Sequence, residues 1–364
     1  MPTRNQHFVP RVYLKKWSKT NNDTVLYYKN TNLNDALPRN VKKICFERHT
    51  YTINYDVYFV LDYMPKVQDD YGQKIKKVLN ENLVDAFYNG KHLDTARLLA
   101  SSENLGNLDM WEFFYRCDEN KIASKKKIIS LVKGVRSYVL EDAFDEFMET
   151  KWNGILDKFI SDIERGLAKR ITNEDIEVNK ENISSLINTL LLLMCRNPKF
   201  DYRGVLTDVK NILLDTFLTD ENNTGDREGI KQIVDDQMRG AWLSQIYKSL
   251  FNNDLSFCKK YMESIREKCQ VSILKCANKD GSFITSDNPA FFYVNSAERL
   301  NKNAIYFPLT PEYLLLIGSG SANSLHMVDV KNLTNISVRI YNRIIFSNSN
   351  DGIISNSRFL GFIL

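Results

Sequence analysis

ISSLINTLLLLMC, residues 183–195, is the most apolar run of the chain. It is too short to cross a bilayer, which takes about 20 consecutive apolar residues, and it carries polar positions of its own. The run therefore predicts a helix buried on nearly all sides, at the centre of a core. Outward from it, apolar residues keep a three-and-four spacing from about Pro65 to Gln270. Ile128, Leu131, Val135 and Val139 show it within Ser124–Leu167, and Ile230–Leu250 with Leu255–Lys268 read as a further helical pair. Beyond both ends the period shortens. Val25–Lys29 and Tyr51–Val60 are strand-like, and after Gln270 come VSILKCA, SFITSD, AFFYV, AIYFPLT, YLLLIGS and SVRIYNRIIFS, each bounded by turn formers. Helices bracketed by strands predict an α+β fold: a mixed or antiparallel sheet built from the N- and C-terminal segments, packed against a large central helical layer. The segments are 1–64 (β-rich), 65–270 (helical) and 271–364 (β-rich), and 1–364 reads as a single functional unit.

The bulk composition agrees with a globular chain. Of 364 residues, 43% are hydrophobic and 26% charged. A net charge of +4, from 49 basic and 45 acidic side chains, permits contact with nucleic acid without demanding it. The six cysteines form no C-x-x-C pair and no zinc spacing, so they are expected as reduced thiols in a cytoplasmic protein. No apolar leader opens the sequence and no membrane partner is expected.

Three stretches could carry chemistry. RNQHFVPRVYLKKW (4–17) offers His7, Arg11 and Tyr13. A histidine titrates near neutrality and can serve as acid, base or metal ligand, and an arginine holds a phosphate by its forked donor edge. The competing reading has His7 bonded to a strand edge while Phe8, Tyr13, Leu14 and Trp17 dock on the core. In FITSDNPAFF (283–292), Asp287 is either a turn former before Pro289 or a carboxylate presented at a strand end, ligating a metal or orienting His7. CRNPKFDYR (195–203) places Arg196 and Arg203 near a helix C-terminus ended by Pro198. There Arg196 is a cap, a buried partner of Asp287, or an anion clamp. His49, His92 and His326 have no constellation, and GSGSANS (318–324) lacks the lysine of a phosphate-binding loop.

Taken in order, QHFVPRVYL, CRNPKFDYR, FITSDNP and YFPLTPEYLLLI resemble a widespread bacterial family, number 4238 in the domain-of-unknown-function series. Its pattern is H-[FY]-V-P-x-x-Y-L, a helix ending in R-x-P, then S-D-N-P, then P-L-[ST]-P. It closes with an asparagine-containing segment before a final hydrophobic strand. The matches are His7–Leu14, Arg196–Pro198, Ser286–Pro289 and Pro308–Pro311, with Asn332 or Asn335 ahead of Val338–Phe346. Asp62, Asp69 and Asp70 loosely represent acids ahead of the first long helix. The resemblance implies one composite site. Under that expectation the chain is a metal-dependent hydrolase of nucleic acid or a nucleotide, a toxin or phage-defence effector. His7, Asp287 and Arg196 would be catalytic, and Arg11, Tyr13, Asn288 and Arg203 would bind substrate. Asp287 and His7 would hold Mg²⁺ or Mn²⁺. The alternative is a non-catalytic module that senses a ligand or a protein partner.

Overall fold

The computed structural model describes residues 5–19, 23–54, 61–62, 64–170, 175–200, 267–277, 282–293, 304–320 and 325–358, with isolated helical positions from 208 to 265. Arg203, most of the Ile230–Leu250 and Leu255–Lys268 pair, residues 55–60 and 321–324 lie outside the described residues.

Along the chain, β1 (Asn5–His7) leads into a short helix α1 (Arg11–Leu14), β2 (Thr24–Lys29), β3 (Asn32–Asn40), β4 (Phe46–Arg48) and β5 (Ile53–Asn54). Then come α2 (Pro65–Glu81), β6 (Val84–Tyr88), β7 (Lys91–His92), α3 (Ala96–Leu99), α4 (Ser102–Gly106), β8 (Glu112–Tyr115) and β9 (Asp118–Ile122). Next are α5 (Lys125–Lys133), β10 (Arg136–Ser137), α6 (Val139–Phe144), a π-helical turn at Asp145–Glu149, α7 (Thr150–Lys169), β11 (Ile176–Glu177) and α8 (Lys180–Arg196). The last elements are β12 (Cys269–Cys276), β13 (Thr285–Ser286), β14 (Phe291–Tyr293), β15 (Ala304–Pro308), β16 (Tyr313–Ser319), β17 (Met327–Leu333), α9 (Asn335–Ser347) and β18 (Gly352–Ser355). The fold is α+β. It divides into one compact unit of Met1–Pro2, His49–Ala143 and Asp201–Ser256, and another of Thr3–Arg48, Phe144–Phe200 and Phe257–Leu364.

Two larger sheets organise the second unit. One has the order β13-β18-β2-β3, so the first and last parts of the chain share a ladder, antiparallel from Gly352↔Lys29 to Ser355↔Leu26. The other, β11-β17-β12-β16-β15-β14, is mixed: β12 runs antiparallel to β16 and parallel to β17. Both contribute to a core holding Phe283, Ile284, Tyr306, Leu314, Ile345 and Ile353. Each large side chain buried there contributes about 1.5–3 kcal/mol. The expected central helix is α8, capped by the Asn179 side chain and buried at Leu186, Ile187, Leu190, Leu191 and Leu193.

One expected strand is a helix. SVRIYNRIIFS lies in α9, where Thr334 accepts from the Ser337 amide as N-cap. Val338, Asn342 and Ile345 are buried while Ile336 and Ile340 are exposed, a helical period that overrides the β-branched composition. The closing strand is instead β18, fully buried along its length.

The first unit holds a four-stranded antiparallel sheet, β7-β6-β8-β9, inside the stretch whose spacing is helical. Its strands are short, and the β6–β7 hairpin turns on Asn89 and Gly90, both at positive φ (49° and 72°). Likewise Ser124–Leu167 is not continuous. It breaks at Gly134 into α5, β10, α6, the π turn and α7; of the apolar stripe, Ile128, Val132, Val135, Leu140 and Phe144 are buried while Leu131 is 40% exposed. No helix among the described residues is long and apolar enough to cross a membrane.

Candidate functional site

The second unit brings the sequence motifs together in two neighbouring polar clusters. The first surrounds His7, the last residue of β1, paired opposite Phe46 with ring centroids 5.6 Å apart. A main-chain hydrogen bond at Lys42 engages the imidazole. The other nitrogen, Nε2, is buried and has no hydrogen-bond partner among the described residues. Burial, followed by the charge of Arg11, lowers the His7 pKa, and Arg196 lowers it further against an opposing effect of Glu149. Burial and the neighbouring guanidinium charges thus favour the uncharged form of the ring.

Arg196 underlies that histidine. At the end of α8 it is 4% exposed, and its Nη2 donates both to the His7 carbonyl and, at 2.9 Å, to Glu149 Oε1. The guanidinium also lies over the Phe144 ring, 4.7 Å from its centroid. Glu149 reaches it from the last position of the π turn. The partner of Arg196 is thus Glu149 and not Asp287. Arg11, on α1, is exposed and stands at the rim.

The second cluster centres on Asp287, which is 3% exposed. Its Oδ1 accepts the Asn350 amide at 2.8 Å and its Oδ2 the Asp351 amide at 2.6 Å, while its own amide donates to the Gly352 carbonyl. Burial raises its pKa, outweighing those amide donors. Asn197, of the R-x-P motif, donates to the Asp287 carbonyl and to Asn288 Oδ1, and it accepts from Asn350 Nδ2. Asn288 in turn donates to the Asn348 carbonyl at 2.9 Å. Gly352 lies close under the Tyr27 ring, and a Cβ there would fall 2.3 Å from its hydroxyl and displace it. Asp287 and Asn288 therefore knot three loops together.

Tyr13 is fully buried. Its hydroxyl bonds Thr285 Oγ1 at 2.6 Å and donates to the Pro308 carbonyl at 2.8 Å, and its ring stacks on Phe307 at 5.1 Å. Burial raises its pKa well above the ordinary value. The opening segment also anchors through the Trp17 indole, which donates to the Phe283 carbonyl.

As a metal centre these residues fit poorly. Asp287 is buried with both oxygens accepting main-chain amides, and among the described residues no three His, Cys, Asp or Glu gather in a group that could hold an ion. In the first unit, Asp62 accepts from Gln68 and from the Ser102 amide, and Asp70 pairs with Lys74 and Ser137. Sequence reading missed Glu149, which has no motif around it. It also missed Asn348 and Asn350, although NSNDG (348–352) is a turn cluster just before an apolar strand and was the available signal. These, rather than Asn332 or Asn335, are the asparagines that touch the S-D-N-P loop.

A family model described as "Protein of unknown function (DUF4238)" matches residues 5–359. No curated protein and no solved structure matches the chain.

Proposed function

We propose a function for a chain that belongs to the DUF4238 family: it hydrolyses phosphodiester bonds in nucleic acid or a nucleotide, with His7 as general base. The observation that carries this reading is the unbonded Nε2 of a half-buried histidine near the exposed Arg11, in surroundings that favour its uncharged form. In the proposed step, Nε2 takes a proton from water as the water oxygen bonds to phosphorus. The bond from phosphorus to the leaving oxygen breaks, and that oxygen is protonated from solvent. Arg11 supplies the forked donor for a non-bridging phosphate oxygen. Arg196, bonded to the His7 carbonyl and held by Glu149, positions the base rather than touching substrate.

A second reading has its own support. Tyr13, Arg196, Asp287 and Asn288 all hold internal hydrogen bonds, which leaves the exposed Arg11 and the buried, unbonded His7 Nε2 as the groups of this cluster not engaged within the fold. A site with those two groups binds a phosphate-bearing ligand without chemistry, as a sensor does. Incubating the protein with RNA, single-stranded DNA and plasmid, in Mg²⁺, in Mn²⁺ and in chelator, separates the readings: cleavage supports the hydrolase, and binding with no cleavage supports the sensor.

A further inference from the structure

A cleft of about 710 Å³ opens in the second unit, and neither the residues around His7 nor those around Asp287 line it. One wall is α7, at Ile160 and Glu164, and another is the end of β12, at Lys275. The Thr310–Tyr313 turn that enters β16 and Asn356, just after β18, complete it. The volume falls within the range of small-molecule sites, about 300–1,000 Å³.

The turn is pinned by its main chain. The Thr310 hydroxyl accepts the Glu312 and Tyr313 amides at 3.2 and 3.3 Å. The Pro311 carbonyl accepts the Phe283 amide at 2.8 Å, and the Glu312 carbonyl accepts the Cys276 amide at 3.0 Å. Thr310 Oγ1 thus keeps its proton to donate. Ser282 donates to Asn356 Oδ1 at 2.9 Å, which leaves the Asn356 amide hydrogens as further donors.

Charges of both signs line this cleft without neutralising one another. Lys16 is paired with Asp157 at 2.8 Å. Lys275 is half-buried, its ammonium stands 5.4 Å from the centre of the Tyr313 ring, and no described carboxylate pairs with it. Glu164 and Glu312 are exposed, and neither has a cationic partner among the described residues. Each glutamate alone would be an ordinary solvated side chain. Sharing a cleft with an ammonium that only a ring attends, the two are held apart from the charge that would neutralise them.

We infer that this cleft binds a free basic α-amino acid, arginine or lysine. Such a ligand carries one carboxylate and two cations, the complement of one unpaired ammonium and two unpaired carboxylates. Its carboxylate meets Lys275, with the Thr310 hydroxyl and the Asn356 amide as neutral donors. Its α-ammonium and side-chain cation meet Glu312 and Glu164, and its methylene stem lies against Ile160. A phosphate ligand would face two carboxylates, and a neutral amino acid would leave one of them unmatched. The inference goes beyond the hydrolase reading and shares no residue with it.

The test is titration calorimetry of the full chain with L-arginine, L-lysine, L-norvaline, agmatine and cadaverine. Norvaline lacks the side-chain cation, and the two amines are arginine and lysine without the carboxylate. The tighter of the two basic amino acids is expected to bind at least tenfold more strongly than norvaline and than its own decarboxylated amine. Lys275→Met, which keeps the apolar stem, should weaken that amino acid at least tenfold without weakening the amine. Glu164→Gln and Glu312→Gln, at exposed positions, should each weaken it about tenfold. No binding of either basic amino acid, an amine that binds as tightly as its amino acid, or undiminished affinity in Lys275→Met would overturn the inference. These ligands contain no phosphate, so none of these results bears on catalysis by His7.

Discussion

The guanidinium of Arg196 donates to the main-chain carbonyl of His7, a residue 189 positions earlier in the chain. That bond ties the end of the central helix to the first strand, and Glu149 completes it as a buried ion pair. A buried pair of this kind adds little net stability over an apolar replacement, yet removing one partner leaves a costly uncompensated charge.

Glu149→Leu or Arg196→Met alone should therefore destabilise the fold by about 3–5 kcal/mol, and the double variant Glu149→Leu with Arg196→Met by clearly less than the sum. Urea denaturation of the four proteins measures the coupling. Additive losses would show that the two groups do not act as a pair.

His7 predicts a pH dependence. Its folded-state pKa lies below the ordinary 6.5, so the unfolded chain binds the proton more readily than the folded one. Stability is then unaffected above 6.5 and falls as pH drops below it, until the folded-state group is itself protonated. His7→Gln should lose less stability than wild type between about pH 7 and pH 5. Thermal melts at both values check this, and equal losses in the two proteins would contradict it.

Asp287 predicts a purely structural phenotype. Asp287→Asn replaces a carboxylate acceptor of two amides with a neutral group that has one acceptor, a loss of about 1.5–3 kcal/mol. Melting temperature should fall, and whatever activity the protein has should persist per folded molecule, with an unchanged response to added Mg²⁺. Lost activity in a protein that melts like wild type would instead make Asp287 a member of the active site.

Tyr13→Phe removes the hydroxyl that serves both Thr285 and the Pro308 carbonyl and leaves that carbonyl buried and unbonded. A loss of about 1–3 kcal/mol is expected, read from the denaturation midpoint at constant m-value.

Much of this architecture was legible in the sequence because the relevant signals are local. The long apolar run Ile183–Cys195 reads as a buried helix, and the short apolar runs of β12, β15 and β16, bounded by turn formers, read as strands. What misled was composition without period. The isoleucines and valine of α9 suit a strand, but Thr334 caps a helix there and the buried positions recur every three to four residues. The small sheet of the first unit was hidden because its strands are shorter than the windows that reveal alternation. At the site, His7 and Arg196 were visible as motif residues, and their contact came out of the fold. Glu149 was not visible, because no motif surrounds it and it sits in a π turn that no propensity announces. Asp287 and Asn288 were visible but underdetermined, since a turn former and a ligand look alike until the bonds to Asn350, Asp351 and Asn348 are seen.

The most direct test of the central claim compares wild type with His7→Ala, both shown to be folded, on single-stranded RNA and DNA from pH 5 to 8. The account predicts cleavage by wild type with an acid limb below pH 6.5, and a loss of at least a hundredfold in His7→Ala, the usual contribution of a general base. Cleavage by His7→Ala at the wild-type rate would contradict it, as would the absence of any cleavage by a folded wild-type protein.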